Sequence, residues 1–235
     1  MRRAQARATA ANQRGYAGGE VAGYLRDPYH RLRVGLALDL LGAHLPGGST
    51  VVDLGAGGGE VCALIADRGL NPIAADVVAL DTGFPGLRLD VGEVLPFRDG
   101  ALDGIFAGEI IEHVYDPALL LRECHRVLRP GGVLVLTTPN LAPLQDRLRF
   151  LTGRAPRQVN PFHEYLHLHI RPFTYPLLAT GLRLAGLVPS RPRSNQVVWR
   201  TRFGELRSAW LARRLPTLGG SLVVAAIRPL RPRPG

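Results

Sequence analysis

The sequence predicts an α/β fold, in which a mostly parallel sheet is covered by helices on both faces. The length of 235 residues suits one such domain with additions, and 46% hydrophobic with 20% charged residues is typical of a globular protein. From residue 49 onward, short apolar runs alternate with segments of helical periodicity. This alternation is typical of parallel sheets, because neighbouring parallel strands are joined by crossovers that usually contain a helix.

The first elements are predicted from leucine spacing and from proline and glycine stops. A helix is predicted over residues 24–45, where leucines recur at helical spacing until Pro46. Residues 49–54 form an apolar run typical of a buried strand, and residues 60–68 predict a helix that Gly69 ends. The same reasoning predicts strands over 72–75, 87–89, 103–107 and 133–137, and a helix over 117–128 that Asp116 caps.

The second half of the chain gives weaker signals. Helices are predicted over 141–151 and 173–185, with a loop rich in Pro, His and Arg between them. Strands are predicted over 187–189 and 221–227, and the stretch between these two strands stays unassigned. We expect residues 1–19 to be flexible and residues 228–235 to be extended or disordered, because both are rich in small, Pro or Arg residues.

The charge is distributed unevenly along the chain. All 29 basic residues are arginine, against 19 acids, which gives a formal net charge of +10. Residues 34–150 carry 8 Arg and 15 acids, whereas residues 183–235 carry 11 Arg and one acid. The basic ends have two interpretations: contact with an anionic partner, or a solvated surface in a chain whose composition favours arginine. The absence of lysine favours the second, because phosphate-binding surfaces generally use both residue types.

The sequence predicts a soluble, cytoplasmic protein with no membrane span. No apolar run approaches the roughly 18 residues that a spanning helix needs, and the N-terminus lacks the apolar stretch of a secretory signal. The two cysteines, Cys62 and Cys124, fall in predicted helices and form neither a metal pattern nor a disulfide framework. The oligomeric state is not indicated.

A strand that runs into a glycine loop and opens a helix is the most informative motif, Val51-Val52-Asp53-Leu54-Gly55-Ala56-Gly57-Gly58-Gly59-Glu60-Val61. A dinucleotide fingerprint fails, because Glu60 stands where its third glycine belongs, and a phosphate-binding P-loop fails because the chain has no lysine. The pattern is D-x-G-x-G-x-G. A carboxylate at this strand end would repel a diphosphate and attract a cationic or amino-bearing nucleotide.

This motif resembles that of the class I S-adenosylmethionine-dependent methyltransferases, and the resemblance covers residues 49–140. Leu95-Pro96-Phe97, the segment from Asp103 to Glu109 and Arg129-Pro130-Gly131-Gly132 resemble further family segments in the same order. The resemblance implies a Rossmann-like methyltransferase fold with a seven-stranded sheet. We therefore expect an N-terminal arm and cap helix (1–48), a cofactor-binding core (49–140), an acceptor-side lid (141–218), and a last strand with a basic tail (219–235).

The resemblance also implies the cofactor, S-adenosylmethionine, and the residues that bind it. Asp76 would accept hydrogen bonds from the ribose hydroxyls, Asp90 and Val91 would contact the adenine, and Glu109 would lie near the methionine amino group. A carboxylate suits a diol because it accepts two hydrogen bonds at once. The implied cofactor-binding residues are Asp53, Gly55, Ala56, Gly57, Gly59, Asp76, Val77, Asp90, Val91 and Glu109.

Two segments offer histidines that could act on a methyl acceptor. His113 follows the fourth strand, and residues 160–174 contain His163, His167 and His169. The pattern His163-Glu164-x-x-His167 matches the zinc-protease motif, but prolines bracket the segment and Phe173 stands where the third histidine belongs, so no metal is expected. We predict His113, His163 and His167 as bases or substrate-orienting residues; the alternative is that these histidines only orient their loops.

These observations predict methyl transfer, with O-methylation of a hydroxyl or carboxyl on a small molecule, lipid or sugar favoured over nucleic acid. DNA enzymes that methylate amino groups carry an Asp/Asn-Pro-Pro-aromatic quartet after the fourth strand, and cytosine C5 enzymes carry a nucleophilic cysteine after a proline there. This chain has neither, because the position reads Glu109-Ile110-Ile111-Glu112. RNA methylation stays open, because Trp199, Phe203 and Trp210 accompany the C-terminal arginines. The two tryptophans also suit one helical face packed on the core. A non-catalytic cofactor-binding protein is the third alternative.

Overall fold

A computed structural model describes residues 24–78, 81–163 and 166–230. Its strands are β1 (Thr50–Leu54), β2 (Asn71–Asp76), β3 (Gly86–Arg88), β4 (Leu102–Gly108), β5 (Leu128–Pro139), β6 (Val188–Pro189), β7 (Val197–Thr201), β8 (Gly204–Ser208) and β9 (Ser221–Ile227). Its α-helices are α1 (Pro28–His44), α2 (Glu60–Ala66), α3 (Pro117–Val127), α4 (Leu144–Leu151), α5 (Tyr175–Leu184) and α6 (Ala209–Arg214). Short 3₁₀ turns lie at Tyr24–Arg26, Ile111–His113, Leu166–Leu168 and Pro216–Leu218.

Seven strands form one sheet in the order β3-β2-β1-β4-β5-β9-β6, and β7 pairs with β8 in a separate hairpin. Neighbouring strands from β3 through β5 are parallel, whereas β9 is antiparallel to both β5 and β6. The predicted mostly parallel, seven-stranded sheet is therefore confirmed. The chain order reverses at β1, which has β2 on one side and β4 on the other, and ligands of open α/β sheets bind at such a switch point.

Apolar clusters cover both faces of this sheet, as predicted. On one face, strand residues such as Val52 and Ile105 belong to a cluster with leucines of α3 and α5. On the other face, the next residues along these strands, Val51 and Phe106, belong to a cluster with α1. This alternation follows from the two-residue side-chain period of a strand, and it requires helices on both sides.

The caps of two helices are set by aspartate side chains before a proline. Asp27 accepts a hydrogen bond from the Tyr29 amide (2.8 Å), and Asp116 accepts one from the Leu119 amide (3.0 Å). In both helices proline is the first residue, where its missing N–H costs no hydrogen bond. Asp116 is therefore the cap that the sequence predicts, and it fixes where α3 leaves the segment that contains His113.

Several predicted boundaries differ from the structure. The helix predicted from Phe173 begins at Tyr175, because Phe173 forms a bridge with Asn140 instead. The strand predicted from Val133 begins at Leu128, since the backbone continues through Gly131 at a φ of +80°. The unassigned stretch contains the β7–β8 hairpin and α6.

The two tryptophans do not share a helical face, so that alternative is wrong. Trp199 lies on β7, and Trp210 lies on α6 with 67% of its surface exposed. The predicted flexible start (1–19) and the end of the tail (231–235) lie outside the described residues. Within the described ranges, no helix has the length and apolar character to cross a membrane.

Candidate active site

A cavity of about 530 Å³ opens where β1, β2 and β4 end. The strand order places its parts along the sheet edge: residues after β3, β2 and β1 lie on one side, and residues after β4 lie on the other. We call the first part the cofactor end, which Asp53, Asp76 and Asp90 line together with the glycine loop (residues 55–59). The second part, the histidine end, is lined by His113 and His169.

The backbone of the glycine loop needs glycine for two separate reasons. Gly55, Gly57 and Gly59 all have φ between +51° and +81°, which side chains with a Cβ rarely adopt. A Cβ on Gly55 would also lie 2.3 Å from Ile110 Cδ1, and one on Gly59 would lie 2.6 Å from Thr82 Cβ. The loop therefore brings bare backbone to the cavity and then enters α2.

Three carboxylates surround this loop in different environments. Asp53 is 2% exposed, and burial raises its pKa to about 7, although Cys62 Sγ donates a hydrogen bond to its Oδ2 (3.5 Å). Asp76 lies at the end of β2, where Oδ2 accepts from the Gly57 amide (2.9 Å) and Oδ1 from the Val78 amide (3.1 Å). The Asp76 carboxylate thus links β2 to the glycine loop while lining the cavity.

Asp90 lies after β3, and its Oδ1 accepts a hydrogen bond from the Gly92 amide (2.8 Å). Of the ten predicted cofactor-binding residues, Asp53, Gly55, Ala56, Gly57, Asp76, Val77, Asp90, Val91 and Glu109 all line the cavity. Gly59 is the residue before α2 and is not among the residues that line the cavity. The structure therefore brings nine of the ten predicted residues to one cavity.

An ion pair between Arg33 and Glu109 also lines the cavity. Arg33 of α1 is 1% exposed, and its Nη1 lies 2.7 Å from Glu109 Oε2. Thr137 Oγ1 donates to Glu109 Oε1 (3.1 Å), and Glu109 itself has a positive φ of +55°. Arg33 is a residue that the sequence analysis missed, because the leucine spacing of α1 indicates the helix and does not mark a charged residue on its buried face.

The N-terminal part of α1 also contributes to the cavity. Tyr29, His30, Arg33 and Val34 line it. The Tyr29 hydroxyl lies 3.1 Å from Ser221 Oγ, and burial raises its pKa above the usual value. This placement of α1 supports the expectation of a cap helix over the cofactor.

The histidine end is formed by two segments that are distant in sequence. The rings of His113 and His169 meet edge to face, with centroids 4.9 Å apart. His113 Nδ1 lies 3.1 Å from the Leu168 carbonyl oxygen, and His169 Nδ1 lies 3.1 Å from Gln158 Oε1. Because these oxygens only accept, each Nδ1 carries the proton and each lone pair is on Nε2.

The pKa of both histidines is lowered to about 4, chiefly by burial and in addition by a neighbouring histidine: His169 acts on His113, and His163 acts on His169. Both imidazoles are therefore neutral at pH 7, and both residues line the cavity. A pKa of about 4 makes them poor bases for a hydroxyl proton, so this geometry suits orientation of an acceptor better than proton removal.

The three predicted histidines have different outcomes. His113 lines the cavity. His163 is exposed, and its Nδ1 accepts a hydrogen bond from the Leu166 amide (3.3 Å), while His169 of the same loop lines the cavity. The His167 side chain lies outside what the structure describes. Gln158, Leu166 and His169 bring residues of the predicted lid to the cavity.

Glu112, beside His113, is a buried carboxylate that the sequence analysis did not assign to the site. It is 1% exposed, and burial raises its pKa well above the usual value, with the nearby Glu109 charge acting in the same direction. Thr138 Oγ1 donates a hydrogen bond to its Oε2 (2.9 Å). The 3₁₀ turn at Ile111–His113 therefore places a buried carboxylate directly beside His113.

The sheet order, glycine loop and carboxylates define the fold class of class I methyltransferases. Solved structures agree on the fold. The putative methyltransferase in complex with the Haloferax volcanii Trm112 activator is 21% identical, with a TM-score of 0.64 over 91% of this chain and 96% of that chain. A Burkholderia thailandensis N1-methyltransferase, solved with 1,6-didemethyltoxoflavin and S-adenosylhomocysteine, is 20% identical, with a TM-score of 0.58 over 89% and 85%.

Sequence comparisons give the family. A family model described as a methyltransferase domain matches residues 52–136. A probable S-adenosylmethionine-dependent methyltransferase of Mycolicibacterium smegmatis is 37% identical over 128 residues, which are 52% of this chain and 47% of that protein. A ubiquinone biosynthesis O-methyltransferase of Xanthomonas axonopodis is 31% identical over 174 residues, 68% of this chain and 71% of that protein. The chain belongs to the S-adenosylmethionine-dependent methyltransferases.

The chain spans about half the length of several curated relatives that it matches, such as the Mycolicibacterium protein. Its cofactor is S-adenosylmethionine, the cofactor of the family. The residues present fit this group, because bare glycine backbone and three carboxylates at strand ends suit a nucleoside that carries positive charge.

Proposed function

We propose that this chain transfers a methyl group from S-adenosylmethionine to an oxygen atom, the hydroxyl or carboxyl of a small molecule, lipid or sugar. The observation that carries the proposal is the pair of neutral imidazoles, His113 and His169, in the same cavity as the predicted cofactor residues. Names of relatives support an oxygen acceptor, since ubiquinone biosynthesis O-methyltransferases match at 31% and 34% identity.

The cofactor end holds the nucleoside in this proposal. Asp76 accepts hydrogen bonds from the ribose hydroxyls, and Asp90 accepts one from the adenine amine. Without the cofactor, Asp53 is partly protonated at pH 7, and the cationic methionine part favours its ionised form, whereas the charge of Glu109 is shared with Arg33. S-adenosylmethionine, when bound, supplies a methyl group on a positively charged sulfur, which leaves without acid assistance.

The histidine end orients the acceptor. Each Nε2 lone pair accepts a hydrogen bond from an acceptor hydroxyl, which fixes its oxygen for in-line attack. The carbon–oxygen bond forms as the carbon–sulfur bond breaks, and the hydroxyl proton passes to solvent. Alignment of this kind and exclusion of water are the main contributions that a protein makes to methyl transfer.

The test is a methyl-transfer screen with isotope-labelled S-adenosylmethionine and a panel of phenols, catechols, carboxylic acids, sugars and amines. We expect label in an O-methyl ether or a base-labile methyl ester, and about 5- to 150-fold less of it with the Asp76→Ala variant at subsaturating cofactor. Label found only on nitrogen or carbon would contradict an oxygen acceptor. Cofactor binding with no transfer to any class would favour a non-catalytic role.

An RNA acceptor is the second candidate, because of exposed aromatic residues in the arginine-rich region. Phe203 in the β7–β8 hairpin is 84% exposed, and Trp210 on α6 is 67% exposed. Aromatic platforms of this kind stack bases, with about 1–3 kcal/mol per base. RNA binding that weakens steeply with salt, and that Trp210→Ala reduces, would support this candidate.

A further inference from the structure

Three metal-ligating side chains converge at the histidine end. One ligand atom each of Glu112, His113 and His169 lies within 4.8 Å of the other two. His113 and Glu112 come from the 3₁₀ turn after β4, and His169 comes from the loop before α5. Two imidazole nitrogens and one carboxylate oxygen are a ligand set that first-row divalent cations prefer.

Glu112 gives an independent indication of a cation. Glu112 is only 1% exposed, and its Oε1 has no hydrogen-bond partner among the described residues. Arg33, whose charge acts on Glu112, forms its ion pair with Glu109. A buried carboxylate oxygen without a partner is costly, and a cation at this position would compensate it.

Hydrogen bonds around the cluster already orient its ligands. The Leu168 carbonyl and Gln158 Oε1 accept from Nδ1 of His113 and of His169, which leaves Nε2 as the lone-pair atom of both rings. Thr138 holds the other oxygen of Glu112 (2.9 Å). Metal-binding histidines characteristically donate their second ring N–H to a carbonyl, and metal-binding carboxylates are themselves hydrogen-bonded.

We propose that Glu112, His113 and His169 bind a divalent transition-metal cation, of the zinc, cobalt or manganese type, that contacts the acceptor oxygen. With bonds of about 2.1 Å, tetrahedral ligand atoms lie about 3.4 Å apart, so ligand atoms spread over up to 4.8 Å need to approach one another by at most about 1.4 Å. Three protein ligands leave further coordination positions open, as in catalytic metal sites, and two of the three line the cavity.

The role of the cation rests on the proposed function and changes how the histidines act in it. With the cation bound, both Nε2 lone pairs contact the cation, and the cation replaces them in orienting the acceptor oxygen. A cation that contacts an acceptor hydroxyl lowers the pKa of that hydroxyl, so its proton leaves to water before the oxygen attacks the methyl carbon. Activation by the cation removes the need for a protein base at this oxygen. It favours an acceptor with two neighbouring oxygens, such as a catechol, because both can contact one cation.

The test measures binding of Co²⁺ and Zn²⁺ to the chelator-stripped full chain by absorption spectroscopy, calorimetry and elemental analysis. We expect one equivalent per chain and the visible absorption of Co²⁺ with nitrogen and oxygen ligands. Glu112→Gln and His169→Ala should each weaken binding by at least tenfold. His163→Ala is the matched control from the same loop, and it should bind like the wild type.

Absence of Co²⁺ and Zn²⁺ binding would overturn the proposal, as would binding that survives in Glu112→Gln and His169→Ala or disappears in His163→Ala. Calorimetry with S-adenosylhomocysteine checks that the variants stay folded, because the cofactor end should bind as in the wild type. Oxygen methylation by fully stripped protein would overturn the cation and leave the proposed function intact. Stoichiometric metal binding without any oxygen methylation would overturn the proposed function and leave the metal site intact.

Discussion

The two ends of the cavity are built in different ways. At the cofactor end, the important groups follow β1, β2 and β3 directly, and the glycine loop needs only its own backbone geometry and a few neighbours. At the histidine end, the rings of His113 and His169 meet although they lie in segments more than 50 residues apart. Cofactor binding thus depends on local structure, whereas acceptor binding depends on how a loop packs.

The largest expected effect concerns folding at the cofactor end. Burial raises the pKa of Asp53 to about 7, from an unfolded value of about 3.9. Between about pH 4 and pH 7, the folded state therefore keeps a proton that the unfolded state releases. The contribution of Asp53 to the free energy of unfolding is fully present below about pH 4 and is lost as the pH rises to about 7.

The measurement is chemical denaturation of the wild type and Asp53→Asn at pH 5 and pH 8, without cofactor. Relative to the variant, the wild type should lose roughly 3 kcal/mol of unfolding free energy over this interval, at about 1.36 kcal/mol per pH unit. Parallel pH dependences of the two proteins would show that Asp53 ionises normally.

At the histidine end, His113→Ala should lower kcat by about 100-fold, because an acceptor misplaced by 1 Å can cost that much. The acceptor found in the methyl-transfer screen is the substrate for this assay. His163→Ala should keep kcat within about twofold, since the exposed His163 side chain contacts the Leu166 amide. A larger loss in His163→Ala than in His113→Ala would move the acceptor away from the histidine end.

The glycine loop gives the next effect. Gly55→Ala should weaken binding of S-adenosylhomocysteine by at least about tenfold, because its Cβ would lie 2.3 Å from Ile110 Cδ1 at a φ of +81°. Gly42→Ala in α1 is the control, since nothing lies within 4 Å of its Cβ and Gly42 does not line the cavity. If calorimetry gives the two variants equal affinities for S-adenosylhomocysteine, the claim that close contacts fix the conformation of the glycine loop is contradicted.

The same contrast explains what the sequence could predict. The sheet, its helices and the cofactor-end residues follow strand periodicity and glycine chemistry, which are local, and the fold prediction is confirmed. His169 was one of three histidines in a loop bracketed by Pro161 and Pro172, and no periodicity indicates which of them turns inward. The structure places His163 outside the cavity and His169 inside it.

Arg33 and the β7–β8 hairpin were missed for related reasons. Arg33 is buried because Glu109, distant in sequence, pairs with it, and helical periodicity does not report such a partner. The hairpin strands are largely exposed, so they lack the apolar alternation by which a half-buried strand is predicted. In both cases the deciding contact or exposure belongs to the tertiary structure.

The most direct test of a cavity with two separate ends is calorimetric titration of S-adenosylhomocysteine into wild type, Asp76→Ala and His113→Ala. Asp76→Ala should weaken binding by about 1–3 kcal/mol, because the ribose loses hydrogen bonds to a carboxylate. His113→Ala should bind with the wild-type affinity, since His113 serves the acceptor. Unchanged binding in Asp76→Ala, or an equal loss in His113→Ala, would contradict the division of the cavity into a cofactor end and a histidine end.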